Sequence, residues 1–378
     1  MKQYPLLAGG MSGRGYNEGN VMKTFCRAQA AAILLCAVCL ISPVARGEAD
    51  TPPQQDLRDY VPETISPQAH AIFEKMLPFV KAHRENRIVL KTAADFDANY
   101  KQMLVRSEAG LAETLKQMGV SPVYKKMAGV GVLETVPPNY HDDGTVLIRV
   151  HGGGFVEGSA QSSAGFDAQM AVETGKRIVS VDYTVAPRGR WPHVTDQVIA
   201  VYQAVLGSGY KAVSIGMFGD SAGANIVPAS ILKLRDEGLP LPGAVLLMSP
   251  CVDLHLNGDT ETTLGHADPA LTVNEVIPGL KAYADPADWN NPYVSPIYGD
   301  FTKGFPPVLI QVGTKEMLLS DSVRFYQAIK MAGGDAELDV YEGMTHVFQS
   351  YMIGTPERKE AFAEIERFWT KHLLFTKQ

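Results

Sequence analysis

Gly219-Asp220-Ser221-Ala222-Gly223 sets a serine between two glycines, after the apolar run Val213 to Phe218 and at the start of an Ala- and Leu-rich stretch. A serine on a tight strand-to-helix turn can act as a nucleophile, because the glycines relieve crowding and the helix N-terminus favours nearby negative charge. A second cluster, His151-Gly152-Gly153-Gly154-Phe155, closes the apolar run 145–151. Consecutive glycines let backbone N–H groups face a ligand, where they stabilise the alkoxide that forms in acyl transfer. Gly153, Gly154 and the N–H of Ala222 are the expected oxyanion donors. His151 is expected to hold this loop rather than to act as a base.

A serine nucleophile requires a base within hydrogen-bond reach and a group that orients the base. Of nine histidines, only His346 and His372 lie beyond the last expected strands, and His346 falls in the loop Gly343 to Phe348 whereas His372 belongs to a terminal helix. His346 is therefore the expected base. Between Ser221 and His346, the apolar run 307–312 ends in Gly313-Thr314-Lys315-Glu316, at the strand edge where ligands of open α/β sheets gather. Glu316 is the expected orienting acid. Asp321 is the alternative, with a second expected role as the cap of a helix from 322 onward.

Positioning these groups requires strands that end at one edge. Strand patterns cover 124–136, 145–151, 177–183, 213–219, 243–248, 307–312 and 337–341, and helices fit 161–175, 195–207, 222–237, 320–332 and 356–373. Short apolar strands alternating with helices predict an α/β fold with a mainly parallel sheet covered on both faces. His141-Asp142-Asp143-Gly144 reads as a hairpin turn between the first two strands, which accounts for its His and Asp residues without a metal. Upstream, Ser66-Pro67 starts one helix and Thr92 opens another that runs to Gly119. The stretch Cys251 to Gly304, rich in Pro, Gly and Asp, reads as a long excursion that shapes the site.

Composition bounds the alternatives. With 46% hydrophobic and 20% charged residues the chain has ordinary globular composition, and its net charge of -7 without a long Lys/Arg block argues against a nucleic-acid partner. Lys23 and Arg27 precede twelve apolar residues, 30–41, too few to span ~30 Å of hydrocarbon. With Gly47-Glu48-Ala49 behind them they predict a signal peptide over 1–49 and an exported, periplasmic or secreted protein without a stable membrane span. An uncleaved membrane anchor is the alternative, and Met22 is an alternative start. Three of the four cysteines lie in that leader, so Cys251 remains without an intramolecular partner. No cysteine or histidine cluster points to a metal. The expected organisation is a leader at 1–49, a helical cap region at 50–119 and a catalytic domain at 120–378.

The ordered motifs 151–155, Asp182 to Pro187, 219–223, Ser249-Pro250 with Asp253-Leu254, and 343–348 resemble the hormone-sensitive-lipase-like family of α/β-hydrolases over about residues 120–375. The resemblance implies an eight-stranded α/β-hydrolase sheet, a helical cap and a cofactor-free triad matching Ser221, Glu316 and His346. It also implies an oxyanion hole matching Gly153, Gly154 and Ala222. The chain departs from the family at Thr184 and Arg188, where Arg and Glu are usual, and at Glu316, where Asp is commoner. The expected activity is hydrolysis of small-molecule esters or lactones of short to medium chain. An amidase or peptidase using the same groups, and a catalytically weak small-molecule receptor, are the competing readings. The cap, residues 60–118 together with 188–210, is expected to bury apolar surface over the site. N-terminal sequencing of the exported protein is expected to begin at Asp50; an intact Met1 or Met22 terminus in membranes would favour the anchor instead.

Overall fold

The computed structural model describes residues 56–108 and 110–374. The expected leader lies outside the described residues. Eight strands, β1 (Val123–Met127), β2 (Val130–Thr135), β3 (Val146–Val150), β4 (Arg177–Asp182), β5 (Ile215–Asp220), β6 (Ala244–Met248), β7 (Val308–Gly313) and β8 (Ala336–Tyr341), form one sheet in the order β1-β2-β4-β3-β5-β6-β7-β8. Pairing is antiparallel from β1 through β2 to β4 and parallel from β4 onward. This is an eight-stranded, mostly parallel sheet, as the resemblance implies.

The central strands are apolar almost without interruption because helices cover both faces. Along β3 the side chains alternate between two cores. Leu147 joins Phe166, Phe218, Leu246, Leu309 and Trp369 under helices α4 (Ala164–Thr174) and α10 (Pro356–His372). Ile148 and Val150 join Val198, Val227, Leu247, Ile310 and Phe325 under α5 (Trp191–Gly207), α6 (Gly223–Asp236) and α9 (Leu319–Met331). Each such side chain contributes about 1.5–3 kcal/mol on burial.

Several expected boundaries are corrected. The single strand 124–136 is a hairpin: Ala128 and Gly129 both have positive φ, 48° and 83°, as a type I′ two-residue turn requires. The hairpin expected at 141–144 does not form, because β2 pairs with β4 and not with β3. Asp142 and Asp143 instead accept the N–H groups of Gly144 and Thr145, each two residues on, in local Asx turns. The expected helix 92–119 is two, α2 (Ala93–Glu108) and α3 (Leu111–Met118), with Gly110 left-handed at φ 77° before the second. Residues 191–207 of the expected cap form α5, whose Val194, Val198 and Tyr202 pack into the sheet's core rather than over the site. The excursion carries two helices, α7 (Asp259–Thr263) and α8 (Val273–Tyr283). With α1 (Pro67–Glu85), α8 contributes residues to the walls of the cavity described below.

One buried charge network joins these layers. Arg149 in β3 donates from Nη1 to Asp167 of α4 at 2.7 Å and from Nη2 to Asp220 at the end of β5 at 2.6 Å. Removing one partner from a buried ion pair strands the other in a dry interior. Asp167→Ala is therefore expected to lower unfolding free energy by about 3 kcal/mol, read by denaturant titration. A loss within about 0.5 kcal/mol, as for a surface site, would contradict it.

Candidate active site

The nucleophile candidate sits where β5 meets α6. Ser221 has φ 54°, a left-handed conformation that strains a residue bearing a side chain. Gly223 makes the turn possible, since a Cβ there would collide with the carbonyl oxygens of Val150 and His151. The same cavity, of about 280 Å³, is lined by Ser221, Ala222, Gly153, Gly154 and His346.

The base candidate and the acid candidate meet directly. Glu316 Oε2 lies 3.0 Å from His346 Nδ1, and the Glu316 side chain is fully buried. The other oxygen, Oε1, accepts from Gly313 N at 2.5 Å and from Ser249 Oγ at 3.0 Å. Ser249 Oγ also accepts the N–H of Val347 at 3.0 Å, so one hydroxyl ties the carboxylate to the histidine loop. Behind it, Lys315 Nζ donates to the carbonyls of Leu57 and Ala267, each at 2.8 Å, and clips the start of the described chain to this corner.

Burial alone would lower the His346 pKa, but the hydrogen bond and charge of Glu316, with Asp268 and Asp220 adding to them, reverse that effect and leave it raised. His151 goes the other way. Burial brings it down to about 4, so it is neutral at ordinary pH. Its Nδ1 lies 2.8 Å from Gly152 O, and its ring stacks on Tyr183 at 4.2 Å, whose hydroxyl donates to His151 O. These contacts tie the ring to the glycine loop and to Tyr183.

Asp321 is not a helix cap. Helix α9 begins earlier, at Leu319, and Asp321 Oδ2 accepts the N–H groups of Val252 and Asp253 at 2.7 and 3.0 Å, holding the turn after β6. It makes no hydrogen bond to His346 among the described contacts. Sequence reading missed the parts played by Arg149 and Ser249. A charge inside the run Thr-Val-Leu-Ile-Arg-Val-His was a usable signal, because an arginine in a strand covered on both faces must find carboxylates. Ser249 offered no such sign, since its partners come from two distant loops.

The remaining wall of the cavity is mostly apolar, with Leu256, Leu271, Val276, Leu280, Met317 and Leu318. Among the described residues no group of His, Cys, Asp and Glu is arranged to hold a metal ion, and no helix is long and apolar enough to cross a membrane.

Residues 147–350 match the family described as alpha/beta hydrolase fold. An esterase of Acinetobacter venetianus is 35% identical over 226 residues, 60% of this chain and 74% of that protein. An acetyl-hydrolase of Streptomyces hygroscopicus is 32% identical over 66% of this chain and 83% of its own length. Among solved structures, esterase E25 superposes with a TM-score of 0.77 at 29% identity, covering 85% of this chain and 98% of its own. An esterase from the bacterial hormone-sensitive lipase family gives 0.73 at 30% identity, covering 82% and 99%. The chain belongs to the α/β-hydrolases, in their hormone-sensitive-lipase-like branch. Within that branch it is a serine carboxylesterase-like hydrolase.

The raised His346 pKa has a definite sign. The imidazolium contributes stability below its unfolded pKa of about 6.5, and that contribution is lost as pH rises through the higher folded value. NMR titration of the His346 ring is expected to give a midpoint above 6.5 that falls in Glu316→Gln. An unchanged midpoint in the variant would show that Glu316 is not the group that charges the ring.

Proposed function

We propose that the protein hydrolyses short- to medium-chain carboxylic esters or lactones through a Ser221-Glu316-His346 triad and an acyl-enzyme. The observation that carries this reading is the 3.0 Å contact between Glu316 Oε2 and His346 Nδ1 at the wall of the cavity that Ser221 also lines. Ser221 Oγ attacks the ester carbonyl carbon while His346 takes its proton. The carbonyl oxygen becomes an oxyanion, stabilised by the N–H groups of Gly153, Gly154 and Ala222. Collapse of this intermediate breaks the bond to the alcohol oxygen, to which His346 delivers the proton. Water then attacks the acyl-enzyme, giving its proton to His346. The second intermediate releases the acid and returns the proton to Ser221. Glu316 stays ionised, fixes the tautomer of His346 and stabilises its charged form.

Relatives named esterase and acetyl-hydrolase support an ester as the substrate, and the small, largely apolar cavity supports a modest chain length. We also propose that the enzyme acts outside the cytoplasm after losing residues 1–49, on the strength of the basic, apolar and small-residue order of that segment.

Ser221→Ala is expected to abolish fluorophosphonate labelling and most turnover while leaving the thermal midpoint nearly unchanged, since the hydroxyl contributes little packing. Labelling that persists at another serine would refute the assignment. Glu316 and Asp321 separate by signature. Glu316→Gln is expected to stay folded and lose up to about 10⁴ in kcat. Asp321→Ala is expected to keep turnover but lose about 1–3 kcal/mol for each buried N–H it strands. The reverse pattern in kcat and unfolding free energy would move the acid to Asp321.

A further inference from the structure

The catalytic cavity does not end in solvent alone. A second cavity of about 290 Å³ lies against its outer end, and the two share the walls His83, Arg87 and Ala270. Beyond those walls the second cavity is lined by Phe79, Val80, Arg84 and Pro269. Phe79, on α1, is 78% exposed there and presents its ring to this groove. The charge of Arg84 is already used, by Asp59 at 2.5 Å and the carbonyl of Pro269 at 3.3 Å, so what it offers the groove is its aliphatic stem.

An ion pair stands at the junction. Arg87 Nη1, from the segment after α1, lies 3.2 Å from Glu275 Oε2 on α8, and both side chains are about a quarter exposed, at 27% and 23%. Both residues line the catalytic cavity, and Arg87 lines the outer one as well. On the same rim His83 Nδ1 is held 3.0 Å from Arg106 Nη1, so this ring too is engaged within the protein. An alkyl chain that fills the catalytic cavity therefore meets a charged pair, with an apolar groove on its far side. The two side chains are partly exposed, but the Glu275 oxygen that meets Arg87 is itself shut off from solvent, so the pair is held at the junction, and an apolar chain against it removes the water that solvates the rest of the two charged groups.

We propose that the Arg87–Glu275 ion pair is a gate that sets the chain length this enzyme accepts, and that the groove of Phe79, Val80, Pro269 and Ala270 is a second subsite for the distal methylenes of longer unbranched ester substrates. The occupant follows from continuity: the groove shares walls with the cavity where the ester bond is cleaved, so a chain anchored at Ser221 reaches it only from within. The inference rests on the ester-hydrolase reading of that site and adds which residues limit its substrate.

The test measures kcat/KM for p-nitrophenyl esters of rising acyl length, and separately for acetates of rising alcohol length, each normalised to the shortest member of its own series within each variant. The wild type is expected to peak at a short chain. The double variants Arg87→Met/Glu275→Leu and Arg87→Leu/Glu275→Met each remove both charges of the gate, so that neither is left unpaired, and are expected to move the peak to longer chains, with roughly a four-fold gain for each further methylene that enters the groove. The series in which the peak moves identifies which side of the ester occupies the groove. Adding Phe79→Asn to either gate variant is expected to reverse the gain. Two gate variants are used so that misfolding of one leaves the other to decide. An active wild type whose profile is unmoved in the folded gate variants would overturn the gate, and a shift that Phe79→Asn leaves intact would overturn the groove. A wild type inactive on every ester would instead overturn the reading of the site itself.

Discussion

Everything at this site depends on how closely the turn after β5 can approach the end of β3. Gly223 lies against the carbonyls of Val150 and His151, a distance that admits no side chain, and Ser221 is held left-handed just before it. A strained residue of this kind costs about 1–3 kcal/mol and persists only where its surroundings over-determine it. Here they do. The body of β5 is buried on both faces, and Arg149 clamps Asp220, the residue before the serine, to the strand that feeds the glycine loop. Serine and glycine loop are thus registered to each other through one arginine and one close backbone contact.

The other half of the site is assembled from loops that share no strand. Glu316 follows β7, His346 follows β8 and Ser249 follows β6, and the Ser249 hydroxyl links the other two. Like Ser221, both Ser249 and Val347 are left-handed, at φ 49° and 53°. Strain therefore recurs at the points where the backbone must leave the sheet abruptly to aim a group at the cavity. The parallel sheet makes this convergence possible, because β5, β6, β7 and β8 all end at the same edge.

The catalytic wall and the selective wall are built by different parts of the chain and meet at the glycine loop. Phe155 stacks on Tyr283 of α8 at 4.0 Å, and Gly279 of the same helix comes so near Gly154 O that a Cβ would clash. The helix that supplies Glu275 and Val276 to the cavity is thereby pressed onto the loop that carries the expected oxyanion donors. A change in α8 therefore acts within packing distance of the glycine loop.

The sequence by itself determined the parts whose signals are local. Gly219 to Gly223 and His151 to Phe155 need only their own glycines and the flanking apolar runs to be read, and the alternation of short strands with helices defines the parallel sheet. Pairing was not legible in this way: Asp142-Asp143-Gly144 has hairpin chemistry, yet β4 lies between β2 and β3, because strand neighbours are chosen by packing across the whole sheet. The same holds for Asp321, whose helix-cap pattern gave way to two N–H donors about seventy residues back along the chain. The roles of Ser249, Arg149 and the Arg87–Glu275 pair were likewise decided only in the folded chain. A hydrogen bond or ion pair between distant segments leaves no periodicity in either one, so it becomes visible only when burial brings the two together and demands that each polar group be satisfied.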